Sequence, residues 1–288
     1  MYYSIYPKLR AIYSFLPTKK EEESLIKARG LSGFNKRIRE LNILKRFPLK
    51  DNNIERHFTI IPFELGIVVY NRLSGSPKDF FRNYMRLYEL KDIKSVLHGG
   101  RGRYFLFIEK ENPTLSEIDD SLKDGFWGEA WCKCYYRYQD TEKISDIEIS
   151  LDHYYYRMLL KASNKLPLSD RVQIKEFILN WIDLQNKVWL YRLKEYYSME
   201  TFEIKRFLIP EGDVYQNIES ALGVTRIFMI NEFYKVCYKD FKMKMFSMRS
   251  ILAFFILLNL KIEKILSIYN AKLLDIEEER IKTLIGIF

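Results

Sequence analysis

The sequence predicts an all-helical fold built from a reused helical unit, and three features point to it. An aromatic-rich amphipathic run with a basic end occurs three times, at residues 80–99, 174–194 and 251–272. Each run carries a four-residue polar box around an aliphatic side chain: Glu89-Leu90-Lys91-Asp92, Asp183-Leu184-Gln185-Asn186 and Lys261-Ile262-Glu263-Lys264. Chain breakers are scarce, with 12 Gly and 8 Pro in 288 residues. Internal similarity of this kind marks one supersecondary unit used repeatedly. Few breakers favour helices joined by short connections. The expected division is a first repeat over 1–107, a second over 108–212 and a third over 213–288.

In the first repeat, Ser76-Pro77-Lys78-Asp79 reads as a helix start. Ser76 is the expected cap, Pro77 fits the first helical position, and Asp79 meets the positive helix end. The helix should run to about His98 and stop at Gly99-Gly100. The segment GGRGRYFLF, residues 99–107, resembles a phosphate loop only loosely. It lacks the Gly-Lys-Ser/Thr ending and follows no strand, so it reads as a helix C-cap and loop.

Residues 109–150 are the least regular part of the chain. The segment DGFWGEAWCKCYYRY, residues 124–138, leaves a short strand and an aromatic loop both open. Its aromatic cluster reads as core or interface rather than as a platform for stacking bases. Residues 151–163 read as a helix, with Tyr154, Met158, Leu159 and Ala162 at helical spacing. After Pro167, with Ser169 as cap, Ile174, Phe177, Ile178, Trp181, Leu184 and Val188 form one stripe. Asp183 and Asn186, three residues apart, share a face of that helix. A short helix from Thr201 is closed by Pro210 and Gly212.

The third run is the most hydrophobic, with Ile251, Phe254, Phe255, Leu258, Ile262, Ile265 and Ile268 or Tyr269 on its stripe. A turn is expected at Asn270-Ala271-Lys272. Asp275 should then cap a last helix, with Glu278 completing a capping box. Ile281, Leu284 and Ile285 give that helix a buried face, and the C-terminus is expected to be docked.

Composition bounds the function. Lys and Arg number 47 against 38 Asp and Glu, a net charge of +9. That excess favours acidic partners, whether nucleic acid, anionic lipid or an acidic protein surface. The basic residues are interleaved with acids and no run of five exists, so a solvated surface is the simpler reading. The 3 cysteines, Cys132, Cys134 and Cys237, argue against a disulfide framework and for a reducing compartment. Cys132-Lys133-Cys134 lacks zinc spacing, and His57, His98 and His153 are far apart, so no metal or cofactor is expected. The longest apolar run, 251–258, is interrupted at Asn259 and Lys261, short of the roughly 20 residues a bilayer needs. With no signal peptide visible at the N-terminus, a soluble or peripheral protein is expected.

No catalytic motif of the GxSxG, HExxH, Walker A or GxGxxG kind is present. The acidic runs Glu21-Glu22-Glu23, Asp119-Asp120 and Glu277-Glu278-Glu279 read as solvated helix starts. Glu89/Asp92 and Asp183/Asn186 are the polar groups that recur inside apolar stripes. A buried Asp beside an Asn suits catalysis, but repetition at equivalent positions suits a structural link between packed helices, because one active site does not need three copies.

The segment IDLQNKVWLYRLK followed by a short helix and FLIPEGD resembles the C-subunit family of the prokaryotic V-type (A/V-type) ATPases, whose eukaryotic members are the d-subunits. The residues that carry the resemblance are Asp183-Leu184-Gln185-Asn186, Arg192-Leu193-Lys194 and Ile209-Pro210-Glu211-Gly212. YELKDIKSVLHG resembles the family's equivalent first segment, with Glu89 for Asp and Asp92 for Asn. The last block, with Lys272 and the closing helix, resembles its C-terminus, and Lys261 and Lys264 depart from the Glu and Asn usual in the family. The resemblance implies a funnel-shaped helical body with pseudo-threefold symmetry. It implies a non-catalytic central-stalk component at the cytoplasmic face of a membrane, one copy per complex. Such a component seats the rotor shaft on the proteolipid ring that moves protons or sodium ions. Two other readings are a basic helical nucleic-acid-binding or scaffold protein, and an enzyme using Asp183 and Asn186.

Overall fold

In a computed structural model the chain is described over residues 2–49, 53–100, 113–221 and 225–285, and these contain helices and no strand. The all-helical expectation therefore holds. The chain divides into two compact units, residues 1–72 with 225–288, and residues 73–224. The division at 1–107, 108–212 and 213–288 concerns internal similarity rather than compactness.

The first unit holds α1 (Tyr6–Tyr13), α2 (Lys19–Ile26), α3 (Gly30–Ile38), α4 (Asn42–Arg46) and α5 (Ile54–Tyr70). The second holds α6 (Gly75–Leu97), α7 (Leu115–Leu122), α8 (Gly128–Thr141), α9 (Ile144–Ser163), α10 (Leu168–Tyr197), α11 (Thr201–Ile204) and α12 (Asp213–Gln216). The chain then returns to the first unit with α13 (Arg226–Met243), α14 (Met248–Leu273) and α15 (Glu278–Ile285).

Helix α14 is the axis of the first unit. It packs on α1, α2, α3, α5, α13 and α15. Every residue from Met248 to Leu258 is buried, and from Ile251 to Leu258 the helix is apolar all round. Each such aliphatic or aromatic side chain contributes roughly 1.5–3 kcal/mol on burial. In the second unit α9 lies against α6, α8 and α10. Tyr155 and Tyr156 of α9 meet Trp181 of α10 edge to face, and the Tyr155 hydroxyl donates to the Tyr84 carbonyl at 3.2 Å.

Several local expectations are corrected. The segment 124–138 is neither strand nor loop for most of its length, because it leads into α8. Its Trp127 and Trp131 are core residues, with the Trp131 indole donating to Asp119 at 2.8 Å. The helix expected from residue 151 starts earlier, at Ile144. Helix α6 takes Ser74 rather than Ser76 as its N-cap, with Pro77 inside the first turn. Amide hydrogens in that turn have no helical partner, so proline is tolerated at any of its positions. Helix α10 starts at Leu168, with Pro167 rather than Ser169 at the cap position.

The expected turn at Asn270-Ala271-Lys272 is helical, and Asp275 ends α14 rather than capping α15. Asp275 has φ of 51°, and the amides of Asp275 and Ile276 donate to the carbonyls of Lys272 and Ala271. That is the paired bonding of a left-handed helix stop. Ile281 is buried as expected. The side chains of Leu284 and Ile285, the C-terminal residues 286–288, and most of the glycine-rich segment 99–107 lie outside the described residues.

Candidate polar box sites

The second box is the best-defined polar site in the second unit. Beyond it, Leu190, Ile204, Leu208, Val214, Ile218 and Ala221 form a small core under the end of α10. That core holds the segment 208–214 against the helix. Asn186, 1% exposed, reads the backbone of this segment as a neighbouring strand would. Its Oδ1 accepts from the Ile209 amide at 2.7 Å and its Nδ2 donates to the Ile209 carbonyl at 2.9 Å. The residue before a proline is pushed into an extended conformation. There Ile209 belongs to no helix, and the Asn186 amide satisfies both of its backbone groups.

Asp183, one turn earlier on the same face, accepts from the Val214 amide at 2.9 Å through Oδ1. It acts as an N-cap for α12, whose own cap residue, Gly212, has no side chain. Gly212 is required for proximity rather than for its dihedral angles. A Cβ there would lie 2.5 Å from Asp183 Oδ1, 2.9 Å from Ile182 Cγ2 and 3.1 Å from Asn186 Nδ2. Burial raises the Asp183 carboxyl above its ordinary range, and the Val214 amide opposes that shift. The rise is thus a consequence of burial, which the capping bond only partly offsets.

In the first box, Glu89 joins α6 to the turn before α8. The Trp127 indole donates to Glu89 Oε2 at 3.0 Å, and Arg86 donates to the same oxygen at 2.6 Å. Arg86 also lies over the Phe126 ring at 4.0 Å, so one arginine bridges the carboxylate and an aromatic face. Asp92 is buried one turn further along α6.

The third box, in the first unit, inverts the chemistry. Lys261 and Lys264 project from α14 onto a single carboxylate, Glu22 of α2. Lys261 Nζ donates to Glu22 Oε1, and Lys264 Nζ lies 2.7 Å from Oε2. Glu22 is 2% exposed, which corrects its reading as a solvated helix-start acid. Its neighbour Glu21 also has a specific role. It closes a capping box with Thr18 and accepts from the Asn42 amide at 3.1 Å. Burial pushes the Lys264 ammonium below its usual value, with Glu22 acting against the shift. A lysine pair inside an apolar stripe demands a buried acid. The acid is 239 residues away in the chain, so spacing gave no signal for it.

The structure therefore gives each of the three boxes a polar contact beyond its own helix. It does not gather the three at one site within either unit: the first two lie in the second unit and the third in the first. Sequence reasoning missed the partners Trp127, Ile209, Val214 and Glu22. A cleft of about 740 Å³ opens in the first unit between α1, α4 and α5, and none of the six box residues lines it. Among the described residues no three His, Cys, Asp or Glu side chains gather closely enough to hold a metal ion. Among the same residues no helix is long and apolar enough to cross a membrane.

A segment of 166 residues is 28% identical to the C-subunit of the A-type ATP synthase of Methanococcoides burtonii, covering 52% of this chain and 45% of that protein. The matched part thus spans less than half the length of that relative. Residues 7–225, well over half of the chain, match the family described as the ATP synthase (C/AC39) subunit, and the chain belongs to that family.

Proposed function

We propose that this protein is a non-catalytic central-stalk component of a rotary ATPase, a socket that couples the rotor shaft to the proteolipid ring in the membrane. Family membership over residues 7–225 supports the assignment to such an enzyme complex. The observation that carries the non-catalytic part is the use made of Asp183 and Asn186. Both side chains are bonded to the backbone of 209–214 and hold a helix to its neighbouring segment. A catalytic carboxylate needs its oxygens directed at a reacting group, whereas Asp183 Oδ1 is directed at an amide of its own chain.

In this reading the protein works as a rigid transmitter of torque, one copy per complex, peripheral to the cytoplasmic face of the membrane. Runs 80–99, 174–194 and 251–272 are then three copies of one unit arranged about an axis, with Glu89, Asp183 and Lys261 at equivalent positions. Charge inversion in the third copy is compensated by Glu22, which keeps the helix-linking role while exchanging its sign.

The test is a strain that lacks the chain. Its membranes should keep ATP-hydrolysing heads and lose the coupling of hydrolysis to proton or sodium transport. The purified chain should neither bind nor hydrolyse ATP. Normal ATP-driven ion transport in the deletion strain refutes the assignment.

A further inference from the structure

The tip between α13 and α14 exposes apolar side chains that the fold of the first unit does not cover. Met243 is 67% exposed, Met245 51% and Phe246 37%, and Tyr3 beside them is 73% exposed. Tyr3 stacks on Phe246 with ring centroids 4.5 Å apart, and Tyr6 meets the same ring edge-on at 5.2 Å. Phe246 has φ of 58°, a left-handed conformation that is strained for a bulky side chain. Such strain persists where surrounding structure fixes it, and it concentrates at working surfaces. Here Ser247 fixes the turn. Its hydroxyl donates to the Lys244 carbonyl at 2.5 Å and accepts from the Ser250 amide at 3.2 Å.

The segments that build the tip are basic. In the segments that build the tip, residues 2–13 and 239–250, the basic residues are Lys8, Arg10, Lys239, Lys242, Lys244 and Arg249. The single acid in those segments is Asp240, which is buried and paired with Arg249 at 2.7 Å. Lys242 and Lys244 are exposed on either side of Met243. The tip thus offers flexible thioethers and aromatic rings at its apex, with long-stemmed cations alongside.

We propose that this tip binds the surface of an anionic lipid bilayer. Methionine adapts to irregular apolar surroundings. Lysine buries its stem while holding its ammonium at the headgroups. Weak apolar insertion becomes useful anchoring when a second, electrostatic attraction is added. The tip combines both within five consecutive residues, 242–246. This surface is independent of the rotary reading, because it is tested with the purified chain and no other ATPase component present.

The experiment is co-sedimentation of the full chain with vesicles of phosphatidylcholine alone and of phosphatidylcholine with about 30% phosphatidylglycerol, a mole fraction chosen as roughly that of an anionic membrane. Binding is expected to the anionic vesicles only and to weaken with added salt. Lys242→Glu with Lys244→Glu should weaken it by about twentyfold or more, since each lysine at such a surface is worth roughly fivefold. Met243→Ser with Met245→Ser should weaken it as well. All four side chains are exposed, so the variants should keep the parent circular dichroism spectrum, with Lys242 losing only its contact with the Tyr238 ring and its place at the helix end. Lys133→Glu with Lys175→Glu, two exposed lysines of the other unit, matches the change in net charge and should leave binding unchanged. Equal binding to both vesicles, no binding to either, or equal loss with the Lys133 and Lys175 pair overturns the proposal. So does attachment of the tip to a purified membrane protein complex without affinity for lipid.

Discussion

Asn186 takes up both backbone polar groups of Ile209, its carbonyl oxygen receiving the amide at 2.7 Å and its own amide reaching the carbonyl at 2.9 Å. A side chain here completes what a second strand would otherwise provide. It does so at the point where the chain leaves helical structure and turns at Pro210. The small core of Leu190, Ile204, Leu208 and Val214 is registered to α10 through this pair.

Asn186→Ala should therefore cost about 2–4 kcal/mol, because two buried backbone groups lose their partners together. Urea unfolding followed by circular dichroism measures it. Asn186→Asp should be nearly as harmful, since it keeps the acceptor but removes the donor and adds a buried charge. Retention of full stability by Asn186→Ala contradicts the clamp.

Gly212→Ala should destabilise by about 1–3 kcal/mol, the usual range for forcing atoms into a packed site. The added methyl would sit 2.5 Å from Asp183 Oδ1 and displace it from the Val214 amide. Gly125→Ala serves as the control, because the nearest atom to its Cβ is the Leu122 carbonyl oxygen at 3.6 Å. The difference between the two melting temperatures is the readout.

Asp183→Leu should lower stability by about 1–2 kcal/mol through loss of the α12 cap. Asp183→Asn should recover most of this, because the amide oxygen still accepts from Val214. Recovery by Asn is the discriminating measurement. A catalytic carboxylate would not be replaced by an amide in any activity of the assembled complex.

Glu22→Ala should be the most damaging of these changes, about 3–5 kcal/mol, because two lysine ammoniums lose a buried counter-charge. Lys264→Met should be far milder, since Glu22 and Lys261 remain as a matched pair. Lys264 also sets a pH dependence. Burial lowers its folded pKa below the unfolded value of 10.5, with Glu22 opposing and Lys261 and Lys19 reinforcing. Between the two values the unfolded chain binds more protons, so stability rises with pH across that window. Lys264→Met should flatten the rise in unfolding free energy measured from neutral pH towards 10.5.

The helical class, the three amphipathic runs and the polar boxes within them follow from the amino-acid sequence alone. Those are local properties, since periodicity and the scarcity of Gly and Pro act over a few turns. The stripe from Ile251 to Ile265 is buried as its spacing predicted, but the enclosure of α14 on all sides from Met248 to Leu258 is decided by packing. The ends of helices were less legible. Ser74 against Ser76, and Asp275 as a helix stop rather than a cap, depend on which of several adequate residues the packing selects. In the same way, the period of the aromatic stretch before and within α8 was ambiguous, and contacts of Trp127 with Glu89 and of Trp131 with Asp119 resolve it. What each box holds was settled by packing in three dimensions. Glu22 meets Lys261 across 239 residues, and Ile209 meets Asn186 across 23. A buried charge or amide specifies that it must have a partner, but not which one. That choice is made when helices pack and bring distant side chains within hydrogen-bond reach.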